Sequence, residues 1–183
     1  MSKLLLDSDW LTALGGGERY LYALAEAIAS AGEVTIGATE LPSGERMERL
    51  GFPLRYPVVQ IPRSALQKET AAYDLFVHLT LRLPMPNAAG RSIAIVQFPA
   101  DSADRLRAWR HPRNRLRTGP PRRALSGYEF VVFFEFVRGW LRRRWGVDAE
   151  ILRPPQTGSD SRSYCPGRSR RSFLAPGSSG TAK

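Results

Sequence analysis

Apolar positions along the chain fall into two patterns. Short, nearly unbroken apolar runs occupy residues 3–7, 33–38, 74–79, 92–98 and 128–134, as expected of strands covered on both faces. From Glu18 onward, Tyr20, Leu21, Leu24, Ala25, Ile28 and Ala29 recur at helical spacing, with Gly32 as the expected C-cap. A second helix runs through Val137, Trp140, Leu141 and Trp145 and stops at Gly146, and residues 44–50 and 64–72 predict two shorter ones. Residues 54–61, broken by Pro57 and closed by Pro62, predict a strand near a sheet edge, and residues 149–152 a last short strand stopped by Pro154 and Pro155. The opening order of strand, glycine turn, helix and strand needs a crossover and so predicts parallel pairing. Alternation of buried strands with helices predicts an α/β three-layer domain.

Composition changes this picture in three places. With 183 residues, 43% of them hydrophobic, the chain is the size of one globular domain and too short for two facing α/β domains. The net charge of +10 is uneven: residues 1–104 carry 9 basic and 12 acidic side chains, residues 105–183 carry 18 basic and 5 acidic. Arginine makes up 24 of the 27 basic residues, which fits either coding bias or phosphate binding. Residues 105–123 hold eight arginines with Pro112, Pro120 and Pro121, predicting a mobile surface loop with one short helix at residues 103–109. In residues 154–183, 15 of 30 positions are Ser, Gly or Pro, which predicts a disordered tail.

The candidate chemistry is sparse. Cys165 is the single cysteine and His78 and His111 the only histidines, which excludes a disulfide framework and a Cys/His zinc site. No apolar run approaches the roughly 18 residues of a membrane span, so the expected location is the cytoplasm. Gly15, Gly16 and Gly17 let the backbone take positive φ and approach a ligand closely, with N–H groups facing an anion at the start of the following helix, or else make a tight turn. A dinucleotide fingerprint fits poorly: Tyr20 stands at the third glycine position, and the loop from Leu6 to Gly15 is too long. Asp7 and Asp9 close the first strand at the end where parallel sheets bind ligands, in an acceptor contact or in a cap or turn. His78, inside an apolar strand, is a hydrogen-bonded core histidine or a base, and His111 is a solvated loop residue. Hydrolase chemistry has no support, since no carboxylate pair has glycosidase spacing and no Gly-x-Ser-x-Gly elbow occurs. Arginines interleaved with Trp109, Trp140 and Trp145 suit anionic lipid head groups or a solvated basic face, and no recognition fold points to nucleic acid.

Several segments occur together in an order that resembles a known family. They are residues 7–20, with Gly-Gly-Gly-Glu-Arg leading into the first helix; Tyr73-Asp74-Leu75-Phe76-Val77; Leu83-Pro84-Met85-Pro86; Val96-Gln97-Phe98-Pro99; and residues 135–148 leading to Pro154 and Pro155. Over about residues 3–155 the chain resembles the N-terminal domain of retaining GT-B glycosyltransferases of the group 1, family 4 type, with most likeness to the subgroup that includes eukaryotic lipid-linked oligosaccharide mannosyltransferases.

The resemblance implies a single Rossmann-like domain at residues 1–155, followed by the tail at 156–183, that receives the acceptor across a cleft from a second, donor-binding domain. It implies that Gly15, Gly16 and Gly17 lie beside the donor phosphates, that Gln97 and His78 are the catalytic candidates, and that Asp9 contacts the acceptor. The partners implied are a nucleotide sugar and a glycan or lipid-linked acceptor, with peripheral contact to an anionic membrane as an extension. No cofactor is expected beyond the nucleotide sugar as co-substrate, and no ligand cluster calls for a metal. The family usually has histidine where this chain has Gln97, and an Asn-Ser pair near Phe133 and Phe134. After about Pro155 the family continues into the donor domain, whereas here the sequence turns Ser/Gly/Arg-rich, so a truncated or frameshifted gene is expected. A catalytically inactive remnant or accessory domain, and a basic module binding anionic surfaces, are the alternative expectations.

Overall fold

The computed structural model describes residues 1–98 and 125–152. Its strands are β1 (Ser2–Ser8), β2 (Gly32–Ala38), β3 (Val58–Gln60), β4 (Leu75–Thr80), β5 (Arg91–Val96), β6 (Glu129–Val132) and β7 (Glu150–Ile151). They form one sheet in the order β3-β2-β1-β4-β5-β6-β7, and every neighbouring pair is parallel. The helices are α1 (Gly16–Ile28), α2 (Gly44–Arg49), α3 (Leu66–Thr70) and α4 (Glu135–Trp145). This is the α/β three-layer, Rossmann-like architecture that the alternation of segments predicts. The arginine-rich segment with its expected helix, His111, Cys165 and the expected disordered tail lie outside the described residues.

Side-chain alternation sorts the sheet into two faces. Leu4, Leu6, Ile36, Val77, Leu79 and Ile95 pack with Leu21, Tyr22 and Ala25 of α1. The intervening Leu5, Phe76, Ala94, Val96 and Val132 pack on the other side with Leu66 of α3 and Val137 and Leu141 of α4. Both faces are therefore apolar, and each fully buried leucine is worth about 1.5–3 kcal/mol relative to exposure. The sheet is held from both sides, which keeps its carboxyl ends in a fixed register.

Three local expectations shift. The third strand forms over Val58–Gln60 alone rather than 54–61: the Pro57 carbonyl accepts from Ile36 N–H (2.9 Å), but proline has no N–H to extend the ladder. The helix after the glycines starts at Gly16, and none of Gly15, Gly16 and Gly17 has positive φ. The left-handed residue is instead Leu14 (φ 50°), whose N–H closes a single 3-10 turn, Leu11–Ala13, onto the Leu11 carbonyl. Gly32 is not a cap. Ala29 caps α1, and Gly32 opens β2 where a Cβ would collide with the Ser2 carbonyl oxygen of β1.

Strand order reverses between β1 and β4. From β1 the chain builds outward to β2 and β3, then returns to β4 on the opposite side and continues to β7. Loops leaving the carboxyl ends of β1 and β4 consequently diverge and leave a crevice between them.

Candidate functional site

The register places Asp7 directly beside His78, and strand alternation puts Asp9 and Thr80 two residues further along on the same side. Asp7 Oδ2 accepts from His78 Nδ1 (2.8 Å) and from Arg63 Nη1 (2.6 Å). Arg63 Nη2 lies 2.8 Å from Asp9 Oδ1, at ion-pair distance, while Asp9 Oδ2 accepts from the Thr80 hydroxyl (2.7 Å). The chain just after β3 delivers Arg63, anchored by Ile61 N–H on the Ala38 carbonyl (2.8 Å). Its guanidinium fills the space between the two carboxylates. Among the described residues no group of three or more metal-ligating side chains occurs.

Asp7 and His78 are both 0% exposed, so the Asp7 charge is tolerable only because Arg63 and the ring N–H meet it. The carboxylate can only accept, which assigns the shared proton to His78 Nδ1. Three polar atoms of this cluster have no hydrogen-bond partner: Asp7 Oδ1, Arg63 Nη2 and His78 Nε2. Asp7 Oδ1 faces Gly37, where a Cβ would stand 3.0 Å from it. His78 Nε2 lies 3.9 Å from Asp9 Oδ2.

Two cavities open above this layer. The first, about 360 Å³, is lined by Asp9, Arg63, Trp10, Glu40, Arg82 and Met85 among others. The second, about 340 Å³, lies at the start of α1 and is lined by Ser8, Gly16, Gly17, Glu18, Thr80 and Gln97. Trp10 borders both. Gly15, as N-cap, has no side chain with which to bond the first turn. Its own N–H donates to Glu18 Oε2 (2.8 Å), and Glu18 Oε1 accepts from the Ser8 hydroxyl (3.3 Å). A buried carboxylate thus already sits at this helix start, favoured there by the helix dipole. The Gln97 side-chain amide packs against Gly17 so closely that a Cβ on residue 17 would collide with it.

The structure therefore brings Gly16, Gly17 and Gln97 into one cavity and places Asp9 in the neighbouring one. Gly15, with its N–H engaged, and the buried His78 line neither. Arg63, Thr80, Trp10 and Glu18 are the residues that sequence reasoning missed. One signal for Arg63 was present: two aspartates at alternate positions of a buried strand demand a cation, and Arg63 follows a strand at the same end of the sheet.

Away from the crevice, Arg138 and Arg142 of α4 both grip Asp148 at 3.0 and 2.7 Å, holding its carboxyl far below the usual carboxylate range. Trp140 and Trp145 meet edge to face at 5.5 Å against the core. Among the described residues the exposed aromatics are instead Phe98, Phe134 and Phe136. Among the described residues no helix is long and apolar enough to cross a membrane.

No protein-family model matches the chain, and no curated protein matches it. The fold speaks on its own terms: a parallel, Rossmann-like sheet with cavities at its carboxyl ends, an arrangement compatible with nucleotide-binding enzymes in general.

Proposed function

We propose that this domain is the acceptor-side half of a retaining, sugar-nucleotide-dependent glycosyltransferase. The observation that carries the reading is the meeting of Gly17 with Gln97 in a cavity at the switch point of the sheet. The N–H groups of Gly16 and Gly17, at the positive end of α1, would face the diphosphate as negative charge develops on it. Gln97 would hold a sugar hydroxyl or phosphate oxygen through its amide, which donates and accepts but does not titrate. Asp9, fixed by Arg63 and Thr80, would accept a hydrogen bond from the incoming acceptor.

Amide NMR of the full chain with a nucleoside diphosphate tests this. The reading expects shifts at the Gly16 and Gly17 amides and the Gln97 side-chain amide. Unmoved signals at millimolar ligand would overturn it.

A second reading, binding without turnover, is favoured by the Gln97 amide and by the Glu18 carboxylate already occupying the start of α1. A nucleotide-sugar transfer and hydrolysis assay bears on this second reading: the expectation is no turnover by this chain alone, and robust transfer would dismiss it.

A further inference from the structure

We infer that the cavity above Asp9 takes a neutral, hydroxyl-rich ring and rejects a phosphate-bearing one; this rests on the reading that this side of the crevice receives the acceptor, and it narrows what that acceptor is. The charges around the cavity do not suit an anion. Asp9 and Glu40 line it and Asp7 lies below, against the two guanidiniums of Arg63 and Arg82. Arg63 turns Nη1 to Asp7 in a hydrogen bond of 2.6 Å and holds Nη2 at ion-pair distance, 2.8 Å, from Asp9, so its charge is met by two carboxylates. The Arg82 guanidinium lies over the Trp10 ring, 5.2 Å from its centroid. Arg63 is thus offset by two carboxylates and Arg82 is stacked on an aromatic wall, with Asp9 and Glu40 adding negative charge to the same lining.

The same groups suit hydroxyls. Asp9 Oδ1 faces Arg63, and Oδ2 accepts from the Thr80 hydroxyl with His78 Nε2 3.9 Å away, which leaves lone pairs for O–H donors of a ligand. Trp10 supplies a flat wall, and Leu83 and Met85 supply apolar surface for ring C–H groups. About 360 Å³ lies at the small end of ligand cavities and suits one or two rings.

The test uses the full chain with a panel of methyl hexosides and the matching hexose 6-phosphates, read at the Trp10 indole N–H by NMR. Methyl hexosides are expected to shift that signal, with the 6-phosphates binding at least about tenfold more weakly, or about 1.4 kcal/mol. Asp9→Asn and, where that variant folds poorly, the exposed Glu40→Gln are expected to shrink the difference by removing negative charge. Phosphates binding as tightly as the neutral glycosides, or no response to any hexoside, would overturn the inference. A nucleoside diphosphate read at Gly16 and Gly17 in the same samples separates the two ideas. If it binds while phosphates win at Trp10, only the hydroxyl site falls; if it fails while hexosides bind, the glycosyltransferase reading falls and the hydroxyl site stands.

Discussion

Arg63 reaches from the loop after β3 to the buried Asp7 of β1, 56 residues earlier in the chain, and its Nη1 meets the carboxylate at 2.6 Å. The contact ties three strands together at their carboxyl ends, because the same guanidinium also faces Asp9 and the same carboxylate oxygen also accepts from His78 of β4. Arg63→Met should leave Asp7 buried and uncompensated, at a cost of about 3–5 kcal/mol. Arg63→Lys should lose less, since it keeps the charge but cannot span both carboxylates. Urea unfolding of the two variants measures both, and equal stability of Arg63→Met and the parent would show that the contact carries no such load.

Gly16, which opens α1, and Gly32, which opens β2, should respond oppositely to alanine. Gly32→Ala drives a Cβ into the Ser2 carbonyl and should destabilise by about 1–3 kcal/mol. Gly16→Ala meets nothing within 4 Å and sits in helical backbone, so it should be neutral or stabilising by up to about 1 kcal/mol. Paired thermal melts check the contrast.

Tyr22 is buried with a hydroxyl that has no partner, and burial pushes its ionisation up to about 12 from an ordinary 10.0. The unfolded chain therefore loses this proton first, so stability falls as pH rises above 10 and the loss levels off near 12. Tyr22→Phe should remove that component of the alkaline loss. At neutral pH it should be neutral or stabilising by about 1 kcal/mol, because it deletes an unsatisfied polar group. Denaturant midpoints at neutral and alkaline pH measure both effects, and a clear loss of stability at neutral pH would contradict the assignment.

Asp148 behaves in the reverse sense. Hydrogen bonds from Arg142 and Arg138, and then from the Ala149 N–H, lower its ionisation from 3.8. Its contribution is present above the unfolded value and is lost as pH falls below it toward the folded one. These two ion pairs lie at the surface, so salt should weaken them. Melting curves of Asp148→Asn and the parent should differ at neutral pH and low salt and converge in strong acid or high salt.

The seven strands among the described residues were legible because apolar runs such as 74–79 and 92–98 carry their own signature. The start of α1 was less legible. Low helix propensity argues against glycine, yet Gly16 and Gly17 stand in the first turn, where the chain enters from an extended Gly15. Least legible were the contacts that make the site. Arg63 with Asp7 and Gln97 with Gly17 join residues far apart in sequence, and the placement of His78 beside Asp7 follows from register rather than from its neighbours in the chain.

Among the described residues the sheet is outermost at β3 and β7, three and two residues long, while its longest strands lie inside. A foreign extended segment approaching either border would find room for very few main-chain bonds, too few to repay the ordering of its own backbone. Propagation of this sheet from molecule to molecule is thereby discouraged at both margins.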